Sequence, residues 1–469
     1  MADGDISPSD VLVIFGITGD LARKMTFRAL YRLESRHLLT CPIVGVASDA
    51  ISVGELMARA REDIVASGEK FDEAVFERLA QRFSYLHGDV LDDKLYKQLA
   101  DEIGPGRSPF FYLEMPPSLF APIVENLAKA ELLERARVAV EKPFGHDLES
   151  ARDLNARLRA VLEENQILRV DHFLGKQPVE ELQYLRFANR ALTEIWDRNA
   201  ISEIHVTMAE NFGVKDRGKF YDAVGTLRDV VQNHLLQVLA LVAMEPPVGP
   251  GADDVNDKKA EVFRAMPAMH PDRCVRGQYR GYTEVAGVAQ DSQTETYVAL
   301  RTEIDNWRWA GVPIFLRAGK ALPTKVTEVR MFLHHVPGFS FLPNRRPPEA
   351  NQIVLRIDPD PGMRLQLSAQ VGTSWQSVHM DSSFAEDLGE PVRPYERLLY
   401  AGLMGDRQLF AREDAIEETW RIVQPLLDAP GRIHHYDPGS WGPDTTQSLL
   451  RGHRTWQEPW LPRGPQTRE

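Results

Sequence analysis

The run Asp171-His172-Phe173-Leu174-Gly175-Lys176 gathers a carboxylate, an imidazole and an ammonium into one short stretch. It follows the strand-like ILRV and precedes a helix that can begin at Pro178, a residue well suited to the first helical position. His172 and Lys176 would add cationic donors to the positive end of a helix, a junction that suits a dianion. A solvated loop with idle charges is the plainer reading of the same residues. His234 falls in LRDVVQNHLLQVLALVAM, where helical spacing puts it on a face with Val230, Val231, Val238 and Leu241. A lone histidine on such a stripe is usually core. Asp229 precedes it by five positions, about 140° around an α-helix, so an orienting carboxylate must come from elsewhere.

A second group of residues suits nucleotide chemistry. Gly16-Ile17-Thr18-Gly19-Asp20 lies between an apolar strand and a helical pattern, where backbone N–H groups can meet a pyrophosphate. It is not a complete G-x-G-x-x-G, and a plain glycine turn accounts for it equally well. The next strand ends in Ala47-Ser48-Asp49, where an acidic residue would accept hydrogen bonds from the ribose hydroxyls of NAD and an NADP site would want Arg. Asp49 also fits a simple turn opener. Glu141-Lys142-Pro143-Phe144-Gly145 ends a further strand, the edge where such folds place ligands, although a turn before a helix capped by Asp147 is the simpler account. There is no G-x-x-x-x-G-K-[ST] and no H-E-x-x-H, so neither P-loop phosphoryl transfer nor zinc hydrolysis is indicated. His334-His335 and His434-His435 would point to opposite sides of a strand, and no metal site is expected.

The elements that must position these residues fall into two kinds. VLVIFG, PIVGVA, PFFYLEM, ARVAV and ILRV read as short buried strands separated by helical patterns, the order of a doubly wound parallel sheet. The first helix is expected over LARKMTFRALYRLESRHLL. After Lys176 the segments EIHVTMAENF, ETYVALRTEI, PIFLRAG, EVRMFLHHV, QIVLRID and MRLQLSAQV alternate without regular crossovers, which predicts a mainly antiparallel sheet. The fold class is therefore an α/β Rossmann-like dinucleotide domain over 1–176 and a β+α domain with a large, mainly antiparallel sheet over 177–469.

Length and composition agree with a globular chain of two domains: 469 residues, 43% hydrophobic and 26% charged. The net charge of -13 speaks against nucleic-acid or membrane-surface binding, so an anionic substrate needs a local basic pocket. Cys41 and Cys274 are too few for a disulfide framework, and a reduced, cytoplasmic setting is expected. MADGDISPSD does not read as a signal peptide and is expected to be a frayed arm. The apolar stretch Leu235–Met244 is shorter than the roughly 20 residues of a membrane span. The tail RTWQEPWLPRGPQTRE reads as a docking strap or a disordered end.

Taken in order, GITGDLA, EKPFG, RVDHFLGK, LRFANR, RDVVQNHLLQ and GVPIFLRAGKAL resemble glucose-6-phosphate dehydrogenases, from about Val11 to the helix DAIEETWRIVQPLL. The resemblance implies oxidation of C1 of glucose 6-phosphate to 6-phosphoglucono-lactone, the entry step of the pentose phosphate pathway, with NAD or NADP accepting the hydride. It implies that His234 is the general base and Asp171 its carboxylate partner. His172 and Lys176 are then expected to grip the 6-phosphate, Glu210 and Asp229 to bond sugar hydroxyls, and Lys142, Lys320 and Lys325 to line the same pocket. Gly16, Thr18, Gly19, Asp20, Leu21, Ser48, Asp49, Lys142 and Pro143 are the expected cofactor residues, Pro143 matching a hinge proline. A homodimer or a dimer of dimers is implied too, with 177–469 as the substrate-binding and dimerisation domain.

Four positions depart from the family pattern: Phe173 for a Tyr, Met25 for a Lys after GDLA, Asp358 for a Gln near the sugar, and Ser48 for the Arg often found in NADP users. With Asp49 following, dual cofactor use with NAD favoured is the expectation, and Arg23 and Lys24 are within plausible reach of a phosphate. The departures leave two other outcomes open, a weakly active member serving as a binding or regulatory protein and a dehydrogenase of another aldose. Intact Asp171 and His234 argue against the first, and retained His172 and Lys176 against the second.

Overall fold

The computed structural model describes residues 8–336, 349–372, 374–389 and 391–462. Most of the expected N-terminal arm and the end of the expected tail, 1–7 and 463–469, lie outside the described residues. Two compact units divide the chain. The first takes 1–177 together with 247–257 and 392–417; the second takes 178–246, 258–391 and 418–469. The chain thus returns to the first unit twice, which a division into the consecutive stretches 1–176 and 177–469 does not include. A segment such as 392–417 carries no motif of its own, and only packing assigns it.

In the first unit the strands are β1 (Val11–Phe15), β2 (Ile43–Ala47), β3 (Phe83–His87), β4 (Pro109–Leu113), β5 (Arg137–Glu141) and β6 (Ile167–Val170). All of β1, β2 and β4 is buried, because helices cover both faces of a parallel sheet and leave no strand side for polar residues. β3 has only Phe83 buried among intermediate and exposed neighbours, and its mixed pattern kept it from standing out in the sequence. Gly16 turns out of β1 at φ +83°, where a Cβ would run into the carbonyl oxygen of Glu114. The expected single helix after this turn is instead a π-helical turn over Ala22–Thr26 followed by an α-helix over Phe27–Ser35. Asp147 caps the helix Leu148–Arg159 as expected, in a reciprocal capping box with Ser150.

The second unit contains β7 (Ile201–Ala209), β8 (Cys274–Tyr279), β9 (Tyr297–Thr302), β10 (Ile314–Gly319), β11 (Val326–Leu333), β12 (Gln352–Asp358), β13 (Gly362–Val371) and β14 (Ser374–Ser383). β15 (Phe410–Ala411) belongs to the first unit and β16 (Ile433–Tyr436) to the second. The seven-stranded sheet has the order β15-β6-β5-β4-β1-β2-β3, parallel except for the β15 edge. The nine-stranded sheet runs β14-β13-β12-β11-β7-β10-β9-β8-β16 and is mainly antiparallel, with β7–β10 and β8–β16 as parallel pairs.

Most of the apolar stretch that is too short for a membrane span forms the helix Leu236–Ala243, every residue of which is buried. Among the described residues no helix is long and apolar enough to cross a membrane. The described part of the tail, 454–462, docks on the nine-stranded sheet. Trp460 donates its backbone N–H to Glu328 at 2.7 Å, and Arg330 donates to Gln457 and to the Glu458 carbonyl. Arg356 lies 4.0 Å over the Trp460 ring and Arg317 4.4 Å over Trp456, so cation–π stacking reinforces the strap.

Candidate active site

At the carboxyl end of β6 the chain turns sharply at Asp171. The buried Asp171 carboxylate accepts the N–H of Phe173 at 2.9 Å, and its carbonyl accepts the N–H of Leu174 at 2.9 Å. This local turn carries the chain from β6 through His172 and Lys176 to the helix Gln177–Phe187. His172 stacks on Tyr395 with the rings 7° apart in plane and 6.5 Å between centroids. The Lys176 ammonium lies 4.1 Å over the face of Phe173, so the ring that stands in place of a tyrosine positions the cation in this chain.

Next to β6, β5 ends in Glu141, paired in register with Val170. The Tyr112 hydroxyl on β4 donates to the Glu141 carboxylate, and Thr26 donates to Glu114. Burial lifts Glu141 to about 7; the Tyr112 bond and Lys142 oppose the shift and Asp171 adds to it. Burial also holds Glu114 well above the ordinary carboxyl range. Lys142 and Pro143 follow, both half-buried, at the same sheet edge. The sequence gives Glu141 only as the first residue of a strand-end motif and does not single out Glu114, because nothing in their local pattern signals that both are buried.

The nucleotide-type turn is built at β1 and β2. Gly19 donates its N–H to the Gly16 carbonyl at 2.8 Å, closing the turn, and Thr18 Oγ1 donates to Asp49 Oδ2 at 2.5 Å. The Asp49 carbonyl in turn accepts from Tyr85 at 2.6 Å. Asp49 therefore engages the glycine turn directly, which goes beyond opening the next turn. Ser48 is exposed at the end of β2, Leu21 packs half-buried against the core, and Asp20 pairs with Lys24 at 3.0 Å. Arg23 is held by Asp63 through Nε and Nη2 at 3.0 and 3.1 Å. The two cations expected to reach for a phosphate are thus already engaged by carboxylates. A cavity of about 290 Å³ opens here, lined by Ile17, Thr18, Arg23, Phe27, Leu56, Arg59, Glu62 and Asp63. Its apolar wall of Ile17, Phe27 and Leu56 and its position beside the glycine turn fit the adenosine end of a dinucleotide. Arg59 was missed in the sequence, where it is one of many charged residues on a helix face.

In the second unit His234 is buried, but on a π-helix over Leu227–Leu235 that passes into the α-helix Leu236–Ala243. This corrects the α-helical spacing assumed from the sequence. An i→i+5 ladder brings residues five apart toward the same side, so Asp229 and His234 no longer diverge by the α-helical angle. The segment is anchored at its start: Leu227 N–H donates to Glu295 at 2.9 Å, and Arg276 pairs with Glu295 at 2.6 Å. Asn233 accepts the His234 backbone N–H at 2.7 Å. The Asp229 charge adds to burial in raising the Tyr221 hydroxyl.

Glu210 follows β7 and Lys320 follows β10, whose parallel register sets Gly319 beside Ala209; the Lys320 ammonium bonds the Glu210 carboxylate. Lys320 also lies 5.0 Å from the Tyr221 ring centre. Lys325 pairs with Asp358 Oδ2 at 3.1 Å. Within this unit the structure therefore couples Glu210 with Lys320 and places Lys325 on the residue that departs from the family pattern.

A dinucleotide-type parallel sheet in one unit and a broad mixed sheet with a buried histidine in the other together make a nicotinamide-linked dehydrogenase. The family model for the glucose-6-phosphate dehydrogenase NAD-binding domain matches residues 13–181, and the model for the C-terminal domain of the same enzymes matches 183–457. The chain belongs to the glucose-6-phosphate dehydrogenase family. It is 77% identical over 464 residues to glucose-6-phosphate 1-dehydrogenase 1 of Mycobacterium tuberculosis, covering 99% of each chain. It is similar to the crystal structure of glucose-6-phosphate 1-dehydrogenase from Mycobacterium avium, with 79% identity, a TM-score of 0.94 and coverage of 97% of this chain and 100% of that one. A glucose-6-phosphate dehydrogenase solved in complex with glucose-6-phosphate aligns with a TM-score of 0.88 at 32% identity, over 96% of this chain and 99% of the other.

Proposed function

We propose that in this glucose-6-phosphate dehydrogenase His234 takes the proton of the C1 hydroxyl of glucose 6-phosphate. The C1 hydrogen leaves with its electron pair and a C1=O bond forms, giving 6-phosphoglucono-lactone. Bound nicotinamide supplies the hydride acceptor. The observation that carries the reading is a buried imidazole on an anchored π-helical segment, a local irregularity that folds retain at functional sites. Asp171 holds the imidazole's tautomer and stabilises its protonated form.

His172 and Lys176 hold the 6-phosphate, Glu210 and Asp229 bond the sugar hydroxyls, and Lys142, Lys320 and Lys325 line the pocket. Lys320 arrives already bonded to Glu210, which fixes the carboxylate for a hydroxyl and lowers the cost of its burial. Pro143 is the hinge that couples the cofactor domain to the sugar pocket. For the cofactor, Asp49 favours NAD because it accepts from a free 2′-hydroxyl and repels a 2′-phosphate, while NADP remains usable. The functional division is a dinucleotide domain over about 1–176 followed by a substrate and dimerisation domain. Exposed Val371, Val378 and Met380 on the outer hairpin β13–β14 support a homodimer, or a dimer of dimers. Two free cysteines, Cys41 and Cys274, support a reduced, cytoplasmic setting.

Absorbance at the reduced-nicotinamide band tests the activity with purified protein, both cofactors, glucose and glucose 6-phosphate. Turnover is expected with the phosphorylated sugar. No turnover with either sugar would overturn the reading in favour of a binding protein.

A further inference from the structure

Arg59 stands on the helix Val53–Ala66 and lines the cavity beside the glycine turn together with Thr18, Arg23, Glu62 and Asp63. Two guanidinium groups and two carboxylates face this space, but the cations are not equivalent. Arg23 commits Nε and Nη2 to Asp63 in a two-point pair. Arg59 is exposed and has no ion pair or side-chain hydrogen bond among the described residues. Its charge acts on Glu55 and on Tyr85, and the Tyr85 hydroxyl donates to the Asp49 carbonyl. Arg59 shares the cavity with Thr18, which donates to Asp49, so it stands beside the corner at the end of β2 where a ribose would lie. The position that presents an arginine in many NADP users is Ser48, which is short and uncharged.

We propose that Arg59 is the specificity-determining residue for the cofactor's 2′-phosphate. It supplies from the helix the guanidinium that the strand end lacks. Asp63 withholds a second one by holding Arg23, and Asp49 opposes the phosphate from the other side. A 2′-phosphate brings about two negative charges at neutral pH, so NADP use depends on Arg59 while NAD use does not draw on it. The inference rests on the reading that the glycine turn holds the dinucleotide.

The test is the ratio of kcat/KM for NADP to that for NAD, with glucose 6-phosphate saturating. Arg59→Gln is expected to lower the ratio by about ten- to a hundredfold, the worth of a charged hydrogen bond. Asp63→Asn is expected to raise it by releasing Arg23. An unchanged ratio in Arg59→Gln, or wild-type NADP turnover too weak to measure, overturns the assignment. Gly16→Ala separates the two layers of the argument, because it should impair both cofactors by crowding the turn. Normal use of both by a Gly16→Ala protein of wild-type Tm would sink the dinucleotide site itself. Impairment of both there, with an unchanged ratio in Arg59→Gln, removes only Arg59.

Discussion

Lys325 Nζ sits 3.1 Å from Asp358 Oδ2, so the lysine expected to face the sugar carries its own counter-ion in this chain. Half of the pair is exposed and the other is more sheltered, which keeps the interaction in the range of a surface ion pair, about 0–1 kcal/mol. Asp358→Gln introduces the Gln of the family pattern and frees the ammonium. The KM for glucose 6-phosphate should fall by up to about fivefold, since a shift of that size spans the surface-pair range. A rise in KM would mean that Asp358 orients Lys325 instead of competing for it.

His234→Asn removes the proposed base while keeping the backbone bond to Asn233. Turnover should drop by about 10²–10⁴-fold, the usual worth of a general base, with a smaller change in sugar KM. Near-normal kcat in a folded variant would falsify the assignment. Asp171→Asn should act in the same direction, since the amide loses the charge that stabilises imidazolium.

The phosphate grip predicts a difference between substrates. Lys176→Ala or His172→Ala should raise KM for glucose 6-phosphate far more than for glucose, because only the former presents a dianion to those donors. Phe173→Tyr should leave the Lys176 contact with the ring in place and add a hydroxyl donor, lowering KM for the phosphorylated sugar only. Steady-state kinetics on both sugars decide this, and equal effects on the two would end the phosphate reading.

Glu141 gives a pH prediction with a definite sign. Its folded-state pKa of about 7 lies above the ordinary carboxyl value, so the folded protein binds the proton more tightly than the unfolded chain. The stability contributed is full below the unfolded pKa of about 4.3 and is lost as pH rises through about 7. Glu141→Gln mimics the protonated form and still accepts from Tyr112. Its Tm should fall less steeply than that of wild type between about pH 5 and 7, although Glu114 keeps part of the slope. Parallel Tm curves for the two proteins across this range would show that Glu141 does not titrate there.

Much of the molecule is local in origin and therefore legible in the residues alone. The continuous apolar runs at Val11–Phe15 and Ile43–Ala47, the glycine turn between strand and helix, the Asp147 cap and the ordered motifs from GITGDLA to GVPIFLRAGKAL all depend on neighbours within a few positions. What the sequence left undecided depends on partners far along the chain. The π-helical register at His234 is anchored by Glu295, and the charge facing the cofactor turn depends on Asp63 taking Arg23 out of play. The placement of 392–417 in the first unit, the pairing of Lys325 with Asp358 and the raised Glu141 carboxyl arise in the same way. Burial and ion pairing are properties of the space that tertiary packing creates. Residue type determines which charges are available, and only the fold determines which of them meet.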